Sequence, residues 1–446
     1  MKIVIAGAGD VGFHLAELLA FEQRDIVLID SNQDVLDYAA THLDVMTLRG
    51  DASSIEILEQ AQVSRAELVL AVTTSEKTNL LTAILAKKMG ARQTIARVKT
   101  MDYLEDEQRK MFEELGVDAL IAPSQLAAEE IQRLIGQCSF TDIYEFEEGR
   151  ISLIGLTLGE TSLLINVKLS ELHRIDPEAT VRPIAILRGH QTIIPNGETI
   201  LLRNDHIYFI TDKEDIDTLV NMVGKKKVKV KNIMILGGTD LAVATAKLLE
   251  NNFNVTLVER DKDHCKYLSE ILNHTLVING EPSNFDLLVE EGLDNMDAVI
   301  ALTNNSEANI IASLTAKNHG VYKTIAQVEN KEYTHISQNI GVDTLINKKL
   351  IAANNIFRYV RKGQVAAVTS INGVDAEVIE FVVHKENQLT RKALKDLHFP
   401  KSALVGGVIR GKESLIPDGN FRFQVDDKVI VFALPEAIAK VENLFR

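Results

Sequence analysis

The 446-residue chain is roughly two to four times the usual domain length, so several cores are expected rather than one. Hydrophobic residues at 46% and charged residues at 25% exclude a disordered or low-complexity protein. A formal net charge of -15 excludes attraction of the whole chain to nucleic acid or to anionic lipid.

The opening MKIVIAGAGD passes from one lysine into a short apolar strand and then glycines, so the start of a fold is expected there and not a signal peptide. No window reaches the roughly 18 to 20 uncharged apolar residues that cross a bilayer, and any membrane role is expected to run through a partner. KIVIA (2–6), DIVLI (25–29), VMTL (45–48), LVLAV (68–72) and TIARV (94–98) are apolar runs of strand length with helix-like stretches between them. Such a βαβα order needs crossover connections, and hence a mostly parallel sheet covered on both faces. Residues 140–222 read as a helix and a few strands around the turn Pro195-Asn196-Gly197, too small a unit for a catalytic substrate domain. Lys225 to Lys231 then forms a basic run expected to be a solvated linker without a ligand.

Beyond that linker the chain repeats itself. Ile5-Ala6-Gly7-Ala8-Gly9-Asp10 recurs as Ile235-Leu236-Gly237-Gly238-Thr239-Asp240, and Leu28-Ile29-Asp30 as Leu257-Val258-Glu259. Arg49-Gly50-Asp51 matches Asn279-Gly280-Glu281, Ala71-Val72-Thr73 matches Ala301-Leu302-Thr303, Asn79 matches Asn309, and Ala96-Arg97-Val98 matches Ala326-Gln327-Val328. Near the end of each half, Leu187-Arg188-Gly189 before Pro195-Asn196-Gly197 matches Ile409-Arg410-Gly411 before Pro417-Asp418-Gly419. The expected fold class is therefore α/β, with two tandem Rossmann-like, doubly wound parallel-sheet domains (1–136 and 230–358). Each is followed by a small α+β domain (140–222 and 365–446).

Gly7-Ala8-Gly9-Asp10-Val11-Gly12 opens a helix directly after a strand. In that context the first glycine turns the chain, the second leaves room for a pyrophosphate, and the third lets the helix pack on the sheet. The product is a helix N-terminus whose N–H groups face an anion. Asp30, at the end of the second strand, is placed to accept ribose hydroxyls and to repel a 2′-phosphate, so NAD is expected over NADP. Asp10 adds a negative charge beside the phosphates and inclines the reading toward two phosphates over three. Asp51, Thr73 with Thr74, and Arg97 stand at the C-terminal ends of further strands, the edge where open α/β sheets bind ligands. Their roles there are contact with adenine or its ribose for Asp51, hydroxyl and backbone groups for the threonine pair, and phosphate pairing for Arg97.

The second copy is eroded: Gly9 becomes Thr239, Gly12 becomes Ala242 and Arg97 becomes Gln327, while Glu259 keeps the acidic position of Asp30. Dinucleotide binding around Gly237, Thr239 and Glu259 is therefore left open, since a side chain at Thr239 crowds the pyrophosphate.

Duplicated glycine-loop units, RGDA at 49–52, AVTTSEKTN at 71–79 and a small β-rich domain after each unit together resemble the TrkA family, over the whole length. These are cytosolic NAD-binding subunits of bacterial Trk-type potassium uptake systems, built from two regulator-of-potassium-conductance (RCK) halves. The resemblance implies a binding site made of Gly7 to Val11, Asp30, Asp51, Thr73, Thr74 and Arg97. It implies NAD or NADH as ligand, with ATP or ADP as alternatives. It also implies a homo-oligomer, a tetramer, that forms a ring beneath an integral membrane channel subunit of the TrkH or TrkG type. The chain would then be cytoplasmic and peripheral on the inner face of the membrane. Family members often carry a second full glycine loop, which this chain lacks.

The rival class is an NAD-dependent dehydrogenase, which needs an acid or base near the nicotinamide. His14 and His42 are expected to be surface or packing residues, and His173, His190 and His206 lie in the small domain without a paired carboxylate motif. No catalytic residue is assigned. Only Cys138 and Cys265 occur, which points to reduced cytosol and no cysteine-built metal site. A free-standing redox sensor or transcriptional repressor would want a helix-turn-helix and a basic face, and neither is legible.

Overall fold

Ile3, Val4 and Ile5 are all fully buried, as a strand must be when both faces of its sheet are covered. It lies at the centre of a parallel sheet in the computed structural model, which describes residues 2–20, 25–137, 140–146, 149–176, 180–189, 191–225, 228–330, 333, 341–361, 367–370 and 376–445. Cys138, His190, Lys226 and Lys227 lie outside the described residues. The described residues group into two compact units, Met1–Ala128 with Asn347–Val360, and Glu129–Ile346 with Arg361–Arg446.

The first unit contains β1 (Lys2–Ala6), β2 (Asp25–Asp30), β3 (Met46–Arg49), β4 (Leu68–Ala71), β5 (Gln93–Arg97) and β6 (Ala119–Ile121). Their order is β3-β2-β1-β4-β5-β6, with every pairing parallel. The order reverses between β1 and β4, which creates a crevice at the C-terminal ends of those two strands. Helices α1 (Asp10–Ala20), α2 (Gln33–His42), α3 (Ile55–Gln60), α4 (Glu76–Met89) and α5 (Asp106–Leu115) and the start of α6 (Pro123–Gly136) cover the sheet. Val4, Ala6, Val27, Ile29, Val69 and Ala71 form one apolar face. The alternate residues Ile3, Ile5, Leu28, Leu68 and Leu70 are equally buried, as the period of two in a strand requires. Helix Lys348–Arg361 belongs to this unit through residue 360 although it comes late in the chain.

In the second unit, β12 (Asn232–Leu236), β13 (Asn254–Glu259), β14 (Thr275–Asn279), β15 (Ala298–Ala301), β16 (Lys323–Gln327) and β17 (Thr344–Ile346) repeat the pattern. Their order is β14-β13-β12-β15-β16-β17. The doubly wound parallel fold expected twice is present twice. Strand β6 and its counterpart β17, three residues each, complete the sheets beyond the five runs legible as strands.

The same unit holds two five-stranded antiparallel sheets. One is built of β7 (Asp142–Phe146), β8 (Ile151–Thr157), β9 (Val181–Arg188), β10 (Gln191–Ile193) and β11 (His206–Asp212). The other uses β18 (Ala367–Ser370), β19 (Glu377–Val382), β20 (Ala403–Arg410), β21 (Glu413–Leu415) and β22 (Lys428–Ala433). Helices Ile216–Met222 and Pro435–Phe445 accompany them. Ile151, Leu153, Ile184, Tyr208 and Ile210 of the first small sheet share one core with Val378, Ile409, Ile430 and Phe432 of the second. The two sheets thus bury their apolar faces against each other.

Each small domain is also tied internally by a buried carboxylate. Asp205 accepts from Arg188 Nε and Nη2 (2.7 Å each) and from the Leu202 N–H (2.8 Å). Asp427 accepts from Arg410 Nε and Nη2 (2.8 Å each) and from the Gln424 N–H (2.7 Å).

Candidate functional site

The crevice at β1 and β4 is entered by the first glycine loop. Gly7 has φ +107°, and a Cβ there would lie 2.8 Å from Thr73 N, so only glycine turns the chain at this point. A Cβ on Gly12 would lie 1.8 Å from Gly7 O, so the helix can approach its own loop only without a side chain. Gly9 differs. A Cβ there would meet no atom within 4 Å, so no neighbour in the fold demands glycine. The space lies in front of the first turn of α1, where N–H groups lack helical partners and the helix dipole favours an anion.

Asp30, at the end of β2, fixes the loop. One carboxylate oxygen accepts from the Ala8 N–H (2.7 Å) and the other from the Asn32 N–H (2.9 Å). Each retains a lone pair for a further donor such as a sugar hydroxyl. Asp51 lies exposed at the end of β3. Its Oδ1 accepts from the Ser53 N–H (2.8 Å) and Ser53 Oγ (2.7 Å), and these bonds, the backbone one foremost, hold its pKa below the usual carboxylate range. It therefore opens the turn into α3 as well as facing the sheet edge.

Thr73 is half-buried and Thr74 exposed after β4, and Arg97 is half-buried at the end of β5. A residue outside the predicted set holds them in register. Asn79, buried in the first turns of α4, accepts from Thr73 N (2.8 Å) and Thr73 Oγ1 (2.6 Å), and donates to Thr73 O (3.1 Å) and Arg97 O (2.9 Å). Its match with Asn309 was the available signal; a polar residue inside a helix otherwise carries no sign of such a role. Glu76 adds a second tie, accepting from the N–H groups of Lys99 (2.9 Å) and Thr100 (3.0 Å) after β5. Gly7, Ala8, Gly9, Asp10, Val11, Gly12, Asp30, Asp51, Thr73, Thr74 and Arg97 all stand on loops or element ends at the C-terminal edge of this one sheet.

Comparison with known proteins places this arrangement. The TrkA-N domain model matches residues 3–123 and 233–348, and the TrkA-C domain model matches 153–224 and 378–446. The chain belongs to the TrkA family. A Trk system potassium uptake protein TrkA homolog of Archaeoglobus fulgidus is 34% identical over 449 residues, covering 100% of both chains. The Trk system potassium uptake protein TrkA of Halomonas elongata is 32% identical over 100% of this chain and 99% of its own. Among solved structures, the GsuK channel bound to NAD shares the fold with TM-score 0.61 at 16% identity, covering 100% of this chain and 78% of that one.

In this TrkA-family chain the second loop is built like the first, with different side chains at its mouth. Glu259 accepts from the Gly238 N–H (2.7 Å) and the Asp261 N–H (2.8 Å), as Asp30 does in its own half. Asn309 binds Thr303 and the Gln327 carbonyl as Asn79 binds Thr73 and Arg97. Thr239, however, caps helix Asp240–Leu249: its hydroxyl accepts from the Ala242 N–H (3.3 Å) and donates to Leu302 O (2.8 Å). His264 donates from Nε2 to Gly238 O (2.7 Å). Thr239 and His264 thus each hold one backbone group of the second loop.

One expectation about the family member's histidines is corrected. His206 does face a carboxylate: its Nε2 lies 3.3 Å from Asp142 Oδ2, and its Nδ1 lies 2.9 Å from Thr157 Oγ1. Strand pairing of β7 and β11 across β8 brings the two together, a juxtaposition that sequence spacing hides. Burial alone would raise the Asp142 pKa, but hydrogen bonding and charge from His206, with help from Thr141 and Lys323, hold it below the ordinary range. His206 and Asp142 are 4% and 7% exposed, so the pair is closed to a substrate. His14 pairs with Glu17 on the surface of α1 (3.1 Å), and His42 stacks on Tyr38. Among the described residues no group of three or more His, Cys, Asp or Glu side chains is placed to hold a metal, and no helix is long and apolar enough to cross a membrane.

Proposed function

We propose that this chain is the nucleotide-binding regulatory subunit of a Trk-type potassium uptake system, and that NAD or NADH binds at its first glycine loop. The observation that carries the reading is the open space at Gly9 in front of α1, beside the Asp30 carboxylate that holds the same loop. Gly7, Ala8, Gly9, Asp10, Val11 and Gly12 would line the pyrophosphate, Asp30 the ribose, Asp51 the adenine end, and Thr73, Thr74 and Arg97 the far wall. A bound NAD would supply recognition energy and no chemistry here. ADP and ATP share the adenosine and phosphates and are the alternative ligands.

The partner is an integral membrane potassium channel subunit of the TrkH or TrkG type, which makes the chain cytoplasmic and peripheral. It acts as a homo-oligomeric ring, a tetramer, with four domains per chain at 1–136, 140–222, 230–358 and 365–446. Exposed apolar residues at equivalent places in both halves support assembly: Tyr38 (56%) and Tyr267 (53%), Met46 (51%) and Leu276 (61%), Leu81 (47%) and Ile311 (58%). Apolar side chains left in water twice in the same register mark a repeated contact surface. A nucleotide then gates the channel to the extent that it binds one ring conformation more tightly than another.

The test is a thermal-shift titration of the full chain with NADH, NAD, NADPH, ATP and ADP, repeated on Gly9→Asp and Asp30→Ala. NADH stabilisation of the wild type, lost in both variants, is expected; no response to any adenine nucleotide at millimolar concentration would sink the reading. Turnover of the cofactor on adding small metabolites would instead favour a dehydrogenase.

A further inference from the structure

Asp10 is the first residue of α1, at the mouth of the first glycine loop, and its side chain is 72% exposed. Its carboxylate forms an ion pair with the ammonium group of Lys349. Lys349 lies at the start of helix Lys348–Arg361, directly after β17, the last strand of the second parallel sheet. Asn347 caps that helix, its side chain accepting from the N–H groups of Lys349 (3.0 Å) and Leu350 (3.2 Å), and is itself buried. The backbone that carries Lys349 is therefore held, and the Lys349 side chain is only 24% exposed.

Charge makes this pairing matter. The candidate site sets three carboxylates, Asp10, Asp30 and Asp51, against one guanidinium, Arg97, and a pyrophosphate brings further negative charge. An isolated carboxylate one residue past Gly9 would oppose an anion at the same helix end. The first half has no cation at the matching position. By alignment of β17 with β6, Lys349 corresponds to Ser124, so the glycine loop with open space is also the loop that receives a cation from the other half of the sequence.

We propose that Lys349 is a binding residue of the first nucleotide site, neutralising Asp10 and sharing its charge with the phosphates of a bound dinucleotide or nucleoside diphosphate. This rests on the reading of that loop as a nucleotide site. It also gives nucleotide charge a mechanical address: the group that meets the phosphates is on the segment leaving the second sheet.

The test is equilibrium binding of NADH to the full chain at low and high salt, for wild type, K349M, K349R, D10N and the double variant D10N/K349M. K349M is expected to weaken NADH by roughly tenfold at low salt, with the difference shrinking as salt screens the charges. K349R should restore binding to within about threefold, because the charge and not the ammonium shape is used. D10N should tighten binding, and D10N/K349M should fall between the single variants. Tight wild-type binding that is indifferent to K349M and D10N overturns this proposal alone. Absence of NADH binding by the wild type overturns it together with the nucleotide reading. Equal loss in K349M and K349R assigns Lys349 a packing role and also overturns it.

Discussion

The hydroxyl of Thr239 takes the hydrogen bond of the Ala242 N–H at the helix end where the first half carries Gly9. The same loop position thus carries open space at Gly9 in one half and a capping hydroxyl in the other. A reciprocal exchange should expose this. Gly9→Thr is expected to melt within a few degrees of wild type, because its Cβ meets nothing within 4 Å and threonine and glycine differ little as helix caps. Its NADH affinity should fall by about a hundredfold or more, the equivalent of about 2.7 kcal/mol. Calorimetric titration alongside a melting curve separates the two effects, and a Gly9→Thr variant that binds as wild type would remove Gly9 from the site.

Asp30→Ala removes the acceptor of both the Ala8 and the Asn32 N–H groups. NADH binding should weaken by roughly ten- to a hundredfold, as expected for a lost charged hydrogen-bond acceptor, and the preference for NADH over NADPH should narrow because the repelling carboxylate is gone. Competition titration with the two reduced dinucleotides measures the ratio directly.

Asn79→Leu deletes four hydrogen bonds around Thr73 and the Arg97 carbonyl and leaves half-buried backbone groups without that partner. A stability loss of about 2–4 kcal/mol in urea unfolding is expected. Asn309→Leu should cost a similar amount in the second half without changing NADH affinity, whereas Asn79→Leu should change both.

Asp142 contributes stability with a definite pH sign. Its folded pKa lies below the ordinary 3.8, so its contribution is fully present above that value and is lost as pH falls through the lower folded one. At pH 7 Asp142→Asn should be less stable by roughly 3–5 kcal/mol, since it leaves His206 and Lys323 without their carboxylate. The gap between wild type and variant should shrink on acidification below about pH 4, the ordinary carboxylate value. Melting temperatures of the pair at pH 7 and pH 3 check it; a gap that widens in acid contradicts the assignment.

Asp205→Ala strands Arg188 and the Leu202 N–H in the first small domain. A loss of roughly 2–4 kcal/mol is expected, below the figure for a wholly buried pair because Arg188 is 37% exposed. Asp427→Ala should behave alike, and Arg188→Lys should not rescue the wild-type value because one ammonium cannot replace two parallel guanidinium bonds.

Much of this architecture is legible in the amino-acid order because the informative signals are local. Val4, Val27 and Val69 lie in unbroken apolar runs that only a sheet covered on both faces explains, and the offset repeat doubles every such inference. The glycine loop is likewise a contiguous pattern. What escapes depends on distance. Asp205 meets Arg188 across a sheet turn, Asp142 meets His206 from 64 residues away, and Lys349 reaches Asp10 across 339 residues; no spacing rule marks any of them. Ala119 to Ile121 is too short a strand to stand out from its flanking helices.

The apolar layer shared by the two small sheets, Tyr208 and Ile210 on one side and Ile430 and Phe432 on the other, packs two halves that a single polypeptide holds at a one-to-one ratio dilution cannot undo. Separate half-length polypeptides would have to find each other by diffusion. Joined in tandem, the two copies meet at that layer without an encounter step, and each keeps its packing partner although their loops differ, with Gly9 in one and Thr239 in the other.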